Sequence, residues 1–387
     1  MGVYTEYLDK QMSFADLTEE RKLQLRRISE ARNRDVLVFA ADLRKGDAPI
    51  AIDYPDLLPI RDQLSNLTGE SLDLVLETPG GSGEVAEDIV RLLHEKYSEV
   101  GVIIPGYSKS AGTIIAMAGD EILMGPGSGL GPIDAQIAWQ GKVFSADALL
   151  EGMEKIKREV ESTGDLNRAY IPMLQALSPG ELQSAENALS FAKTLVTEWL
   201  AKYKFKNWAS HKNGDSVTEE ERHHRAEEIA TELCNHRRWL THARSIRLPD
   251  LEEMGLKITN YAVNDSLGDA IDRYYALLQM TFTSNIYKVF ETPGSQIYRF
   301  ISPQAPAPAT PQGLPEASVA ILEVNCQNCG QVTKIQANLG EIQPLQEGCV
   351  PYPAGDKLKC PNCSAELDLS EARRQVEAQT KKPVVTE

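Results

Sequence analysis

The feature that most constrains the fold of this sequence is an alternation of apolar strand-like runs, glycine-rich turns and helical runs over residues 72–136. The runs "LDLVLE", "VGVII" and "DEILMG" predict three strands, because each is short, apolar and bounded by turn residues. The intervening "EVAEDIVRLLHEKY" and "SAGTIIAMAG" predict helices, and one face of the first collects Val85, Ile89, Leu92, Leu93 and Tyr97. Strands that alternate with helices predict an α/β fold with a parallel sheet and right-handed crossovers.

Two glycine-rich turns follow the first two of these strands. One is "TPGG", residues 78–81, and the other is "PGYSK", which leads to Ser110. Because turns after neighbouring parallel strands meet at the same edge of a sheet, we expect Gly80 and Gly81 to lie near Ser110. Ser110 begins a predicted helix, so the amide of Ala111 would point outward with the positive end of the helix dipole. The amides of Gly80, Gly81 and Ala111 therefore predict a pocket for an oxyanion.

Each of these residues also has a purely structural interpretation. A serine at the start of a helix is commonly an N-cap, and "TPGG" is commonly only a turn. Asp134 follows Gly131 and Pro132, a position that suits a turn former. The combination favours a functional site, because the two turns are spaced as consecutive strand ends and the turn "GPGSGLGPID" follows the third strand.

At these residues the sequence resembles a known superfamily. "ETPGGSGEVAEDI" and "SKSAGTIIAMAGDEILMGPGSGLGPIDAQ" are similar to the group that includes the Clp protease catalytic subunit, signal peptide peptidase A and the crotonases. The resemblance is greatest to the serine dehydrogenase proteinase family. Its motifs match residues 78–81, 110–113 and 130–136, and a fainter match is "THARSI", residues 241–246. The likeness covers about residues 36–260.

The resemblance implies a Clp/crotonase-type spiral of ββα units and a serine endopeptidase activity. Ser110 would form an acyl-enzyme, His242 would take its proton, and Asp134 would hold the imidazole of His242. Gly80, Gly81 and Ala111 would receive the oxyanion. The resemblance also implies a peptide or protein substrate and a homo-oligomer.

Three alternatives remain open at this point. The first is a Ser–Lys dyad, with Lys142, Lys155, Lys157 or Lys193 as the base, while Lys109 is expected to point away from Ser110. The second is a crotonase-like acyl-CoA enzyme, which uses the same two-amide pocket without a serine nucleophile. The third is a non-catalytic scaffold. The other histidines are weaker candidates. His94 lies on an amphipathic helix, His223 and His224 lie on a solvated charged face, and His211 and His236 have no supporting pattern.

Two cysteine pairs near the end of the sequence predict a metal site. They lie in "CQNCG" and "CPNCS" and comprise Cys326, Cys329, Cys360 and Cys363. Paired CxxC knuckles supply four thiolates, which is the usual ligand set of a structural Zn²⁺ site. Residues 321–370 contain three lysines, no arginines and six acidic residues, so we expect this zinc ribbon to contact a protein partner and not nucleic acid.

Composition divides the 387-residue chain into five parts. We predict a helical segment at 1–35, a peptidase domain at 36–290 that is largely helical over 147–240, a linker at 291–320, the zinc ribbon at 321–370 and a disordered tail at 371–387. The net charge of −16 argues against general binding to nucleic acid or anionic membranes. No signal peptide or apolar run of membrane-spanning length is present, so we expect a cytoplasmic protein.

Overall fold

A computed structural model describes residues 2–133, 135–139, 142–211, 213–301, 318–380 and 382–386. The chain divides into two compact units, Met1–Ser302 and Pro303–Glu387. Each unit is described by itself below.

The described part of the first unit is built on a seven-stranded sheet. In their order across the sheet, its strands are β11 (Gln296–Phe300), β10 (Ile286–Glu291), β1 (Asp35–Ala41), β2 (Ser71–Glu77), β3 (Glu99–Ile104), β5 (Glu121–Met124) and β9 (Thr259–Asn260). The neighbouring strands β1, β2, β3, β5 and β9 run parallel to one another, whereas β10 runs antiparallel to both β1 and β11. The three strands predicted from the sequence are β2, β3 and β5, and their parallel pairing is confirmed.

Four further short strands lie at the loops of this unit. They are β4 (Tyr107–Ser108), β6 (Gly129–Leu130), β7 (Gln136–Trp139) and β8 (Lys142–Ser145). β4 pairs with β6 in parallel, and β7 with β8 in an antiparallel hairpin.

Helices cover both faces of the sheet, because alternate residues of the central strands are buried on opposite sides. In β1, Leu37 and Phe39 belong to one apolar cluster, and Val36 and Val38 belong to another. The first six helices are α1 (Val3–Asp9), α2 (Phe14–Arg32), α3 (Leu57–Ser65), α4 (Gly83–Lys96), α5 (Ala111–Met117) and α6 (Ala146–Thr163). The α-helices that follow in the described part of this unit are α7 (Ile171–Gln175), α8 (Pro179–Trp199), α9 (Glu219–Cys234), α10 (His236–Trp239), α11 (Leu248–Glu253) and α12 (Asp265–Thr281).

The predicted helical insertion corresponds to α6 through α10. A short π-helix, Leu200–Lys204, extends α8 at its carboxyl end. Among the helices that the structure describes, none combines the length and the apolar character that crossing a membrane would require.

The second unit contains a sheet in which β12 (Val319–Asn325), β13 (Val332–Leu339) and β14 (Val350–Pro351) are neighbours. A separate hairpin joins β15 (Lys357–Lys359) to β16 (Glu366–Asp368). Helix α13 (Ser370–Thr380) follows, and β17 (Val384–Val385) returns to pair with β13.

Two predicted boundaries need correction. The sheet of the first unit continues through β11, so residues 291–300 do not belong to a linker, while residues 302–317 lie outside the described part of the chain. The predicted disordered tail instead forms α13 and β17, because Val376 and Val384 are buried in the apolar cluster of the second unit. The tail therefore completes this unit.

Candidate active site

Ser110 lies at the turn between β4 and α5, at the edge of the sheet where the parallel strands end. Its backbone φ is 49° and its ψ is −118°, a combination that residues with a side chain rarely adopt. Its hydroxyl makes no capping hydrogen bond to the helix. The interpretation of Ser110 as an ordinary N-cap is therefore not supported.

The turn that contains Gly80 packs directly against Ser110. Gly80 has a φ of 100°, and a Cβ atom placed there would lie 2.6 Å from the Ser110 Cβ and 2.7 Å from the Lys109 carbonyl oxygen. Only glycine permits this approach, since any side chain would collide with the serine. The prediction that the two glycine-rich turns meet at Ser110 is thus satisfied by the geometry.

Hydrogen bonds fix this turn on both sides. The amide of Ile52 donates to the Gly80 carbonyl at 2.7 Å, and the amide of Ser82 donates to the Ile52 carbonyl at 3.0 Å. The loop that carries Ile52 is held in turn by Lys288 of β10, whose ammonium contacts the Ala51 carbonyl at 2.7 Å and both carboxylate oxygens of the buried Asp56. These contacts connect the turn to β10.

The backbone amides near Ser110 differ in their hydrogen bonding. The Gly80 amide donates to the Thr78 hydroxyl at 3.1 Å, so the prediction that Gly80 contributes an oxyanion donor needs correction. The amides of Gly81 and Ala111 donate to no acceptor within the described ranges of the chain. These two N–H groups are available to a ligand.

A cavity of about 280 Å³ opens beside Ser110. Its walls are mostly apolar or small, and helix α8 closes one side of it. The lining residues are Gly81, Ser82, Gly83, Glu84, Ser110, Ala111, Ile114, Ile133, Ala135, Gln136, Ala188, Phe191 and Ala192. Ser110 therefore faces a small cavity.

Asp134 lies outside the described residues, but its two neighbours in the chain, Ile133 and Ala135, line the same cavity as Ser110. Thr113 forms hydrogen bonds with the loop that leads to Asp134. The buried Thr113 hydroxyl lies 3.0 Å from the Ser108 carbonyl and 2.9 Å from the Gly131 carbonyl, and it accepts the Gly131 amide at 3.0 Å. Sequence analysis assigned Thr113 no role, although it belongs to the motif that begins at Ser110.

His242 is half-buried and lies in the segment that connects α10 to α11. Leu130 and Ile246 exchange backbone hydrogen bonds of 3.0 and 2.9 Å, which join this segment to β6. The ammonium of Lys109 contacts the carbonyl oxygen of Arg244 at 3.0 Å. The segment that carries His242 therefore lies against the turn that carries Ser110.

Three other histidines make structural or surface contacts. His94 stacks on Tyr203 with ring centroids 3.6 Å apart, and its Nε2 contacts the Ala118 carbonyl at 2.9 Å. Burial lowers the pKa of His94, which favours the neutral ring. His211 contacts Glu221 at 3.2 Å, and His224 pairs with Glu228 on the exposed side of α9.

Three of the lysines considered as a base lie away from Ser110. Lys155, Lys157 and Lys193 line a separate cavity of about 990 Å³ between the helices of the insertion. Lys193 also pairs with Glu227 at 3.0 Å. Lys142 begins β8, and its side chain is not among those that the structure describes.

Glu77, the last residue of β2, is a buried carboxyl group that immediately precedes the turn at residues 78–81. It accepts a hydrogen bond from the Tyr275 hydroxyl at 3.2 Å and one from the Tyr107 amide at 3.3 Å. Burial raises the pKa of Glu77 to about 8. The signal for this residue in the sequence is a charged side chain at the carboxyl end of the apolar run "LDLVLE".

The four predicted cysteines come together in the second unit and could hold a metal ion. The Sγ atoms of Cys326, Cys329, Cys360 and Cys363 all lie within 4.8 Å of one another. The pairs Cys326–Cys363 and Cys329–Cys360 are each 3.6 Å apart. Tetrahedral Zn–S bonds of about 2.3 Å place sulfur atoms roughly 3.8 Å apart, so this donor set fits Zn²⁺.

Each cysteine pair lies in a matching backbone turn. The amides of Gly330 and Ser364, both with positive φ, donate to the carbonyls of Cys326 and Cys360 at 2.8 and 3.0 Å. The repeated turn explains why the two CxxC pairs present their thiols in the same way.

Two relatives align with part of the chain. Two uncharacterized proteins of Methanocaldococcus jannaschii are 34% identical over 104 residues and 36% identical over 84 residues. These alignments cover 27% and 22% of this chain, and only 36% and 28% of the two relatives.

Two solved structures are also similar. Both are mutants of a membrane-bound stomatin-specific protease, one with a serine changed to alanine and one with a lysine changed to alanine in complex with a substrate peptide. Their sequence identities are 16% and 14%, and their TM-scores are 0.31 and 0.30. The alignments cover 56% and 65% of this chain and 77% and 84% of those chains.

A family model identifies the central part of the sequence. Residues 49–167, which include Ser110 and both glycine-rich turns, match the model of the ClpP-like SDH-type serine proteinases. This match confirms the predicted resemblance and the Clp-like α/β fold class. Over residues 49–167, the chain is therefore similar to the ClpP-like SDH-type serine proteinases.

Proposed function

We propose that this chain is a serine peptidase in which Ser110 attacks a peptide carbonyl and forms an acyl-enzyme. The observation that carries the proposal is the packing of Gly80 against Ser110, beside two amides, those of Gly81 and Ala111, that lack acceptors in the described regions. Two such amides are the donors that a tetrahedral oxyanion needs. The family match over residues 49–167 supports the same chemistry.

The proposed reaction has two stages. First, the Ser110 hydroxyl gives its proton to a base, its oxygen bonds to the carbonyl carbon, and the amine leaves with that proton. Water then gives a proton to the same base and attacks the ester, and the acid product leaves as Ser110 regains a proton. In both stages the carbonyl oxygen becomes negative, and the amides of Gly81 and Ala111 would stabilise it.

We propose that His242 is the base and that Asp134 holds its imidazole in the required tautomer. The motif matches at residues 130–136 and 241–246 support this assignment. So does the contact between Lys109 and Arg244, which lies two residues after His242. A Ser–Lys dyad with Lys142 is the alternative.

We propose a polypeptide substrate with an apolar side chain next to the cleaved bond. Ile114, Ile133 and Phe191 give the cavity beside Ser110 apolar walls. Its volume of about 280 Å³ is below the roughly 300–1,000 Å³ of pockets that enclose drug-sized ligands. A single side chain fits this space better than the long acyl-CoA ligand of a crotonase.

Labelling with a fluorophosphonate tests the nucleophile. We expect one adduct, on Ser110, because only a serine with an activated hydroxyl reacts rapidly with this reagent. Ser110→Ala should abolish both labelling and peptide cleavage, whereas Ser162→Ala, at an exposed serine of α6, should change neither. A folded protein that remains unlabelled would contradict the proposal.

The same assay separates the two possible bases. His242→Ala and Asp134→Asn should each slow labelling and peptide turnover by roughly 10³-fold or more, while Lys142→Met should leave both rates near the wild-type value. Slow rates in Lys142→Met, together with near wild-type rates in His242→Ala and Asp134→Asn, would establish the Ser–Lys dyad.

We propose that the four-cysteine cluster binds a structural Zn²⁺ and that the surface of the second unit contacts a protein partner. A unit of this size buries little apolar surface, so metal binding would supply much of its folding free energy. Cys326, Cys329, Cys360 and Cys363 would be the ligands. We also propose a homo-oligomer, which light scattering of the purified chain would test.

A further inference from the structure

Lys109, the residue immediately before Ser110, connects three segments of the chain. Its ammonium contacts the Leu130 carbonyl at 3.0 Å, the Arg244 carbonyl at 3.0 Å and the Ser245 hydroxyl at 2.8 Å. An ammonium group has three N–H donors, so these three acceptors account for all of them. The side chain therefore has no donor left for Ser110.

The path of the Lys109 side chain is confined along its length. A Cβ atom placed on Gly131 would lie 2.8 Å from the Lys109 Cδ, so the lysine stem fills the space that glycine leaves open. The ammonium lies 5.3 Å from the centre of the Tyr107 ring, and the guanidinium of Arg247 lies over the same ring at 5.6 Å. Burial, and next the nearby Arg247 charge, lower the pKa of Lys109 to about 8.

The segments that Lys109 joins are the ones that carry the proposed catalytic groups. Leu130 precedes Asp134 by four residues, and Arg244 follows His242 by two. The same two segments are linked by the mutual backbone hydrogen bonds of Leu130 and Ile246. Arg247 adds contacts to the carbonyls of Gly127 and Ser128 at 2.7 and 2.9 Å.

We propose that Lys109 is a positioning residue that holds the segment carrying His242 and the loop leading to Asp134 in place relative to Ser110, and that it is not the base. This inference rests on the proposed serine chemistry. The sequence predicts that Lys109, although adjacent to the proposed nucleophile, points away from Ser110. The three hydrogen bonds of Lys109 direct its ammonium to backbone and hydroxyl oxygens instead.

The test compares Lys109→Met with Lys109→Arg. Methionine keeps the apolar stem and removes every donor, whereas arginine keeps the charge and the donors but cannot act as a base near neutral pH. Lys109→Met should lower the fluorophosphonate labelling rate and kcat by about 10- to 100-fold with little change in KM, because small displacements of reacting groups cost rates of this size. Lys109→Arg should recover most of both rates.

Hydrogen exchange provides a readout that does not depend on activity. Lys109→Met should speed exchange at the amides of Leu130 and Ile246, and Lys109→Arg should restore their protection. Lys45 is a matched control, since its ammonium contacts three backbone carbonyls, those of Phe282, Ser284 and Ile286, at 2.6–2.7 Å. Lys45→Met should leave the labelling rate of Ser110 and the two protected amides unchanged.

Two results would overturn the proposal. One is a Lys109→Arg protein that is as inactive as Lys109→Met while its amides keep wild-type protection, which would make Lys109 the base. The other is a Lys109→Met protein with wild-type labelling and exchange. If Lys109→Met does not fold, Lys109→Leu takes its place with the same expectations, because leucine also lacks a donor.

Failure of the proposed function would be recognised separately. If the wild-type protein itself is not labelled, the serine chemistry is wrong, and exchange at Leu130 and Ile246 then decides the role of Lys109. Faster exchange in Lys109→Met would support the connection between the segments, and unchanged exchange would overturn it.

Discussion

At the scale of single residues, the site depends on backbone conformations that most side chains cannot adopt. Gly80 and Gly81 have φ values of 100° and 151°, and Ser110 has a φ of 49°. The first two positions suit glycine, but the third carries a side chain in spite of the energetic cost. Strain at a residue with a hydroxyl and free neighbouring amides is typical of a site built for reaction.

The contact of Gly80 with Ser110 leads to a prediction. Gly80→Ala should abolish the labelling of Ser110, because the added methyl group would occupy space 2.6 Å from the Ser110 Cβ and would strain a backbone with positive φ. Gly46→Ala is the control, since its added methyl group meets nothing within 4 Å. Labelling of Gly80→Ala at the wild-type rate would mean that the two turns do not meet as described.

The buried carboxyl group of Glu77 leads to a prediction about pH. Its pKa is raised to about 8 by burial, so the folded protein keeps its proton at pH values where the unfolded chain, with a pKa near 4.5, has lost it. The stability that protonation contributes is therefore fully present below pH 4.5 and is lost as the pH rises through about 8.

Glu77→Gln should consequently flatten the decline in stability between pH 5 and pH 8.5, as measured by urea unfolding at several pH values. Glu95→Gln, at an exposed position of α4, should leave the wild-type slope unchanged. A Glu77→Gln protein with the full wild-type slope would show that Glu77 is ionised in the folded state throughout this range.

At the scale of elements, the sequence predicts β2, α4, β3, α5 and β5 well, because their apolar periodicity and bounding glycines are local signals. Strands β10 and β11 were not predicted, because the edge strand β11 falls within the residues assigned to the proline-rich linker and β10 ends at the first of them. The bonds of Lys109 and Thr113 could not be foreseen, because they join residues brought together only by the fold. The tail was mispredicted because few of its residues are apolar, yet two of these are buried.

Helix α2 is attached to strand β10 by a buried ion pair. The guanidinium of Arg21 contacts both carboxylate oxygens of Glu291 at 2.9 and 3.1 Å, and both side chains are fully buried. The Tyr274 hydroxyl donates a further bond of 2.6 Å to Glu291. Replacing only one member of such a pair strongly lowers the stability of the fold, because the remaining charge is left in the interior without a partner.

Arg21→Met should lower the free energy of unfolding by about 3–5 kcal/mol, as measured by urea denaturation. The double variant Arg21→Met/Glu291→Leu removes both charges and should recover most of this loss. Equal destabilisation in the single and double variants would show that the lost packing of Arg21, and not the unpaired charge, dominates.

At the scale of the whole molecule, the chain consists of two units with separate apolar cores. The proposed nucleophile belongs to the first unit and the cysteine cluster to the second. Since the proposed metal contributes folding free energy only where it binds, the two units should respond differently to its removal.

Removal of metal by a strong chelator should increase hydrogen exchange in β12 and β13 while the labelling rate of Ser110 stays unchanged. Cys326→Ser should have the same effect without chelator, whereas Cys349→Ser, outside the cluster, should not. Wild-type exchange in β13 after verified metal removal would show that the cluster does not stabilise this unit.

The contact between Lys288 and the loop at residues 51–56 has a consequence for biosynthesis. Ribosomes add Lys288 long after Ser110, so a growing polypeptide carries its proposed nucleophile well before Lys288 can bind the loop that supports the Gly80 turn. We therefore expect the active centre to mature only when the first unit is nearly complete. Such timing would spare the emerging chain and nearby proteins from premature cleavage.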